Sequence, residues 1–177
     1  MKKLLVVVDM QNDFIDGVLG TPEARTVVPK VANKILDWDG DIICTQDTHS
    51  EDYLSTREGK LLPVSHCIER TYGHRISTEI MRALGEHDDS DIVAILNKYT
   101  FGSTALPEII RPHGYEHIEI VGLCTDICVV SNAMILKAHF PEIDIVVDAS
   151  CCAGVTPESH SAALTTMKMC QINIIGE

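Results

Sequence analysis

The sequence predicts an α/β protein: a single doubly wound, Rossmann-like sheet of six mostly parallel strands with helices on both faces. Three observations predict it. Short apolar, β-branched runs recur along the chain without polar alternation, the mark of strands covered on both faces. Segments with apolar residues at helical spacing lie between most of these runs, and that alternation implies parallel pairing. The 177 residues are about one domain's worth of chain, and no repeat, low-complexity tract or linker divides them, so one domain over 1–177 is expected.

The elements follow in order. LLVVVDM (Leu4–Met10) is the first strand. Glu23–Leu36 carries Val27, Val28, Val31, Ala32, Ile35 and Leu36 at helical spacing, with Pro29 tolerable if it falls in the first turn. DIICTQ (Asp41–Gln46), IVAIL (Ile92–Leu96), HIEIVGL (His117–Leu123), IDIVVDA (Ile143–Ala149) and the short INII (Ile172–Ile175) complete the strands. Further helices are expected over Ser77–Leu84, Thr104–Arg111, Thr125–His139 and Pro157–Met169, with Ser103 and Thr156 as caps. Asp47 to Arg75 is too long for an ordinary connection, and loops of that length in a compact domain are usually functional.

Composition narrows the function classes. Apolar residues make up 45% and charged residues 23%, as in soluble globular proteins. A formal net charge of -12 repels phosphate backbones and argues against a nucleic-acid partner. No run approaches the roughly 20 apolar residues of a membrane span, and the Leu4–Val8 run that Asp9 interrupts is too short for a secretory signal. A cytoplasmic protein is therefore expected. Its seven cysteines, odd in number and without framework spacing, read as free thiols.

In an open parallel sheet, ligands bind beyond the carboxyl ends of the strands. There the first strand ends at Asp9, the second at Asp47 and His49, the third at Asn97 and Lys98, and the fourth at Gly122–Cys124 with Cys128 one turn later. A carboxylate, a metal-binding pair, an amine and a thiol thus converge on one edge. Cys128 in the first turn of a helix would have its thiolate favoured by the helix N-terminus, with Asp9 and Lys98 as the base and cation needed to raise the thiolate fraction. The same N–H groups would bind an oxyanion. A buried structural cysteine is the commoner fate of a thiol, and Cys44, Cys67, Cys124, Cys151, Cys152 and Cys170 are assigned to packing. Asp47-x-His49 places two ligand types on one face of an extended segment, with His66 and Glu58 in the same loop, a set suited to a divalent transition metal. The remaining histidines, His74, His87, His113, His117, His139 and His160, are assigned to solvent or caps.

These residues, in this order, resemble the isochorismatase-like cysteine hydrolases over nearly the whole chain. DMQNDF (Asp9–Phe14) looks like the family's first-strand motif, Lys98 like its triad lysine, and GLCTDICV (Gly122–Val129) like its nucleophile motif. SCCAGVTPESHSAAL (Ser150–Leu164) resembles its C-terminal loop and helix. The resemblance implies a triad of Asp9 as acid/base, Lys98 and the nucleophile Cys128. It implies a cis peptide at Leu123–Cys124 and an oxyanion hole from the backbone N–H groups of Cys124 and Cys128. DTH (Asp47–His49) followed by LPVSHC (Leu62–Cys67) is similar to the nicotinamidase branch. That branch implies one divalent ion on Asp47, His49 and His66, with Glu58 as a further ligand; zinc is the first expectation, then iron or manganese. It implies nicotinamide as substrate, its ring lying between aromatics at the positions of Phe14 and Phe101, and a homo-oligomer. Leu62 stands where many relatives have Trp, and Val64-Ser65-His66 where many have Pro-Pro-His. Two rival readings are a metal-free hydrolase of the same superfamily, acting on a vinyl ether or carbamoyl amide, and a metal-binding or interaction domain without chemistry.

Overall fold

The computed structural model describes residues 1–177. Its strands are β1 (Lys3–Val8), β2 (Asp41–Asp47), β3 (Ile92–Lys98), β4 (His117–Leu123), β5 (Asp144–Ala153) and β6 (Asn173–Ile175). They form one sheet in the order β3-β2-β1-β4-β5-β6, and every neighbouring pair is parallel. The sheet is thus wholly parallel, where the sequence predicted a mostly parallel one. The chain starts in the middle, builds outward through β2 and β3, then crosses to β4, β5 and β6. Strand order reverses between β1 and β4, which opens a crevice at their carboxyl ends.

Alternation along β1 sends side chains to both faces. Leu5 and Val7 pack with helix α2 (Pro22–Leu36) and helix α4 (Thr78–Leu84) through Val27, Val31, Ile35, Ile80 and Leu84. Leu4, Val6 and Val8 pack on the other face with α5 (Leu106–Ile110), α6 (Val130–His139) and α7 (Pro157–Met169) through Leu106, Ala133, Leu136, Leu164 and Met167. Two cores therefore sandwich the sheet, as its unalternated strands require. No helix is long and apolar enough to cross a membrane.

Several local expectations are corrected. Helix α2 begins at Pro22, where the Thr21 hydroxyl accepts the Ala24 N–H at 3.0 Å, so Pro29 lies inside the helix rather than in its first turn. Pro29 is on the exposed face, where water can satisfy the carbonyl that its missing N–H leaves free. Ser103 is no cap: α5 starts after Ala105 without a side-chain cap, and the buried Ser103 N–H instead donates to Asn132 Oδ1 at 2.9 Å. Thr156 does cap α7, in a reciprocal arrangement with Ser159. β5 runs on to Ala153, past the expected end at Ala149, because the register against β4 shifts between Ile120 and Gly122 and pairing then resumes. The long loop is not structureless. It contains a 3₁₀ turn at Tyr53–Ser55 and a short helix α3 (Arg57–Leu61), while α1 (Asn12–Ile15) follows β1 directly.

Candidate active site

The four strand ends meet in the crevice. Asp9 follows β1 with φ 47°, a left-handed conformation that a non-glycine residue adopts only where its surroundings enforce it. Two bonds enforce it here: the Asp9 N–H donates to Thr45 O at 3.2 Å, and Thr45 Oγ1 donates to Asp9 Oδ1 at 2.7 Å. Beside it on β4, Gly122 has φ +118°, and a Cβ there would lie 2.1 Å from the Val8 carbonyl oxygen. Only glycine lets β4 approach β1 this closely.

Lys98, at the end of β3, is fully buried and reaches across the strand ends. Its Nζ lies 2.6 Å from Asp9 Oδ2, 3.1 Å from Asp47 Oδ1 and 3.4 Å from Cys128 Sγ. Asp9 Oδ2 is paired with the lysine at 2.6 Å, and a carboxylate oxygen keeps a second lone pair that can take a proton. Cys128 sits in a single π turn, Thr125–Val129, that precedes α6, rather than in the first turn of an α-helix. The peptide Leu123–Cys124 is cis. No protein acceptor takes the Cys124 N–H, whereas the Cys124 carbonyl accepts from Ile127 and Val129.

Burial sets the electrostatics. It pushes Asp9 above the usual carboxylate range despite the opposing pull of Lys98. Burial also pushes the Cys128 thiol well above its ordinary value; the Asp9 carboxylate adds to this and Lys98 opposes it. The helix-end placement expected for Cys128 is corrected by the π turn. One lysine faces two carboxylates and the thiol, so these groups titrate as a unit. Lys98 itself is raised: burial disfavours its charge, but Asp9, Cys128 and Asp47 together outweigh that cost.

Asp47, His49 and His66 come together on the adjoining wall, their ligand atoms all within 4.8 Å of one another. His49 Nε2 is 2.9 Å and His66 Nε2 3.5 Å from Asp47 Oδ2. His66 Nδ1 bonds the Val64 carbonyl at 2.8 Å, which turns Nε2 inward. Asp47 is held below its usual range: burial would raise it, but hydrogen bonds from His49 and His66 and the charge of Lys98 prevail. Glu58 Oε1 lies 3.5 Å from His49 Nε2, buried and without a hydrogen bond. An orphaned carboxylate oxygen beside two inward-turned imidazoles and a second carboxylate fits a divalent transition ion, and the N/O donor set matches that of catalytic metal sites.

Cys128 from the first group and Asp47, His66 and Glu58 from the second line one cavity of about 300 Å³. Phe14, Leu62 and Phe101 line it as well, together with Leu19, Ile127 and Val155. Phe14 is buried while Phe101 is 44% and Leu62 37% exposed, so the aromatic wall is firm on one side and open on the other. The crevice can hold a small flat molecule with a polar carbon against Cys128 and a donor atom toward the histidines.

Sequence reasoning missed two contributors, His74 and Gln11. Cys124, expected to act through its backbone N–H, also lines the cavity with a side chain that was assigned to packing. His74 was assigned to solvent or caps but is buried, with Nε2 2.9 Å from Thr48 Oγ1 between the two ligand residues Asp47 and His49. Gln11 was not singled out at all, although its side chain is fully buried behind Asp47. The DMQNDF run held the signal for Gln11: a polar amide directly after a buried strand needs partners.

Known proteins place this arrangement. The isochorismatase domain family model matches residues 3–176. The nicotinamidase of Saccharomyces cerevisiae is 24% identical over 99% of this chain and 100% of its own length. That of Escherichia coli is 26% identical over 94% of this chain and 90% of its own. Among solved structures, a pyrazinamidase of Pyrococcus horikoshii in complex with zinc superposes with a TM-score of 0.83 at 28% identity, covering 100% of both chains. The chain belongs to the isochorismatase domain family, in which the relatives it resembles include nicotinamidases.

Proposed function

We propose that this protein is a metal-assisted cysteine amidohydrolase that converts nicotinamide and water to nicotinic acid and ammonia. The observation that carries the reading is a cavity lined by Cys128, Asp47 and His66, with Lys98 bridging Cys128 and Asp9 behind its floor and His49 beside Asp47 behind its wall. The nicotinamidase relatives supply the substrate, and the zinc-bound neighbour supplies zinc as the first ion to test.

Asp9 Oδ2 takes the Cys128 thiol proton as sulfur attacks the carboxamide carbon, and Lys98 holds the charge of both groups through the transfer. The N–H groups of Cys124 and Cys128 receive the developing oxyanion; losing one such donor typically costs ~10²–10³ in rate. As the C–N bond breaks, Asp9 returns its proton to the leaving nitrogen and ammonia departs. Asp9 then draws a proton from water, which attacks the thioester carbon; the C–S bond breaks and the proton goes back to sulfur. A divalent ion held by Asp47, His49 and His66, with Glu58 as a further ligand, supplies a Lewis-acidic anchor for the ring nitrogen and a site for water. Phe14 and Phe101 hold the ring so that the carboxamide meets sulfur; an ångström of misplacement can cost ~10²-fold.

An ammonia-release assay over a small amide panel, with elemental analysis of the same sample, tests the reading. Nicotinamide should be turned over with about one divalent ion per chain. Benzamide, which keeps the ring and amide but lacks the ring nitrogen, should be a far poorer substrate. Equal rates for the two amides would remove nicotinamide recognition and leave only the cysteine hydrolase.

A further inference from the structure

Gln11 follows the catalytic-acid candidate by two residues, and its side chain is fully buried. Every strong contact it makes is to backbone of the loop that carries the histidines. Its Oε1 accepts the Asp47 N–H at 2.7 Å, and its Nε2 donates to the Asp47 carbonyl and to the His74 carbonyl, each at 2.8 Å. The first two bonds pair one side-chain amide with both backbone groups of a single residue, as a strand partner would. The next two residues extend the grip. Asn12 Nδ2 donates to Tyr72 O at 2.8 Å, and Asp13 Oδ2 accepts the Cys67 N–H at 2.7 Å, one residue beyond His66.

Asp47 needs such a hold because its two carboxylate oxygens serve different partners. Oδ1 lies 3.1 Å from Lys98 Nζ, and Oδ2 lies 2.9 Å from His49 Nε2. A carboxylate satisfies both directions only while its backbone stays fixed. We propose that Gln11 is the positioning residue of this site: its amide fixes the Asp47 backbone, and so sets the carboxylate that joins Lys98 to the histidine pair. No other neutral side chain of this length offers one acceptor and two donors in a plane. The inference rests on the metal reading given above.

The test compares the wild type with Gln11→Met, which keeps the bulk and loses all three bonds, and Gln11→Glu, which keeps the acceptor but turns an oxygen toward two carbonyls. Tyr115→Phe is the control; it removes a buried hydroxyl's bond to Asp41, at the far end of β2. Zinc affinity is measured by competition with a chromophoric chelator, alongside thermal midpoints. Zinc affinity should fall ~10–100-fold in both Gln11 variants, the usual effect of removing a partner behind a ligand. Tyr115→Phe should lower the midpoint while leaving zinc affinity unchanged. If Gln11→Met does not fold, Gln11→Glu carries the comparison. A folded Gln11 variant with wild-type zinc affinity, or an equal loss in Tyr115→Phe, overturns the inference alone. A wild type that binds no zinc overturns the metal reading as well.

Discussion

Cys128 and Asp9 both lie against the ammonium of Lys98, and in the proposed mechanism a proton passes between them, so neither works without the other. Cys128→Ala should abolish ammonia release while the fold, read by circular dichroism, persists. Asp9→Asn should do nearly the same, since the amide keeps the shape but cannot take the thiol proton. The double variant should be little worse than either single, because residues acting as a unit lose their effect together. Activity above a few per cent in either single variant would remove that residue from the mechanism. The candidate residues were legible because each is a lone reactive side chain directly after an apolar run, and a buried parallel strand puts its last residue at the crevice. Gln11 was legible only as a polar amide directly after a buried strand, and its backbone partners could not be read from the sequence. His74 gave no signal, because its partner is a single hydroxyl far along the chain. The turn that carries Cys128 was read as α rather than π because the two share nearly the same apolar spacing.

At the scale of elements, all six strands were readable, with every end except that of β5 within two residues, since parallel strands covered on both faces are unbroken apolar runs. The start of α2 was also legible, expected at Glu23 and found at Pro22, but Pro29 lies inside the helix and not in its first turn. Helix α2 is also tied to the sheet by a polar link. Lys34 Nζ lies 2.6 Å from Glu119 Oε1 on β4 and 2.7 Å from Asp148 Oδ2 on β5. Burial alone would raise Asp148, but hydrogen bonds from Lys34 and Ser150 hold it below the usual carboxylate range. A group depressed in the folded state stabilises above its unfolded pKa of ~3.9 and loses that stabilisation as pH falls through its folded value. Lys34→Met leaves two carboxylates without their cation. It should cost about 2–3 kcal/mol at neutral pH, below the ~3–5 of fully buried pairs because Lys34 is partly exposed. It should also flatten the loss of stability below about pH 4, because the Asp148 pKa is then no longer depressed. Urea unfolding at pH 7 and pH 3 checks both; an unchanged difference between the two pH values would show that the link does not set the acid response.

At the scale of the molecule, the reversal of strand order between β1 and β4 decides where a ligand goes, and the crevice there is small enough for a single aromatic ring. In Cys128→Ala loaded with zinc, nicotinic acid at 100 times its dissociation constant should stabilise the fold by ~2.7 kcal/mol. For a chain of this size that is roughly a 5–10 °C rise in thermal midpoint, read by scanning fluorimetry. Benzoic acid should give much less, and equal shifts would mean that the ring nitrogen goes unread. The shared grip of Lys98 on Asp9 and Asp47 has a consequence for anyone who would rebuild this chemistry elsewhere. The nucleophile, its base and its lysine do not form a portable cassette. Grafted onto a sheet without Asp47, the same lysine would face one carboxylate instead of two, and the proton balance between Asp9 and Cys128 would settle at a different point. A transplant must therefore carry β2 and its loop along with the three reactive side chains.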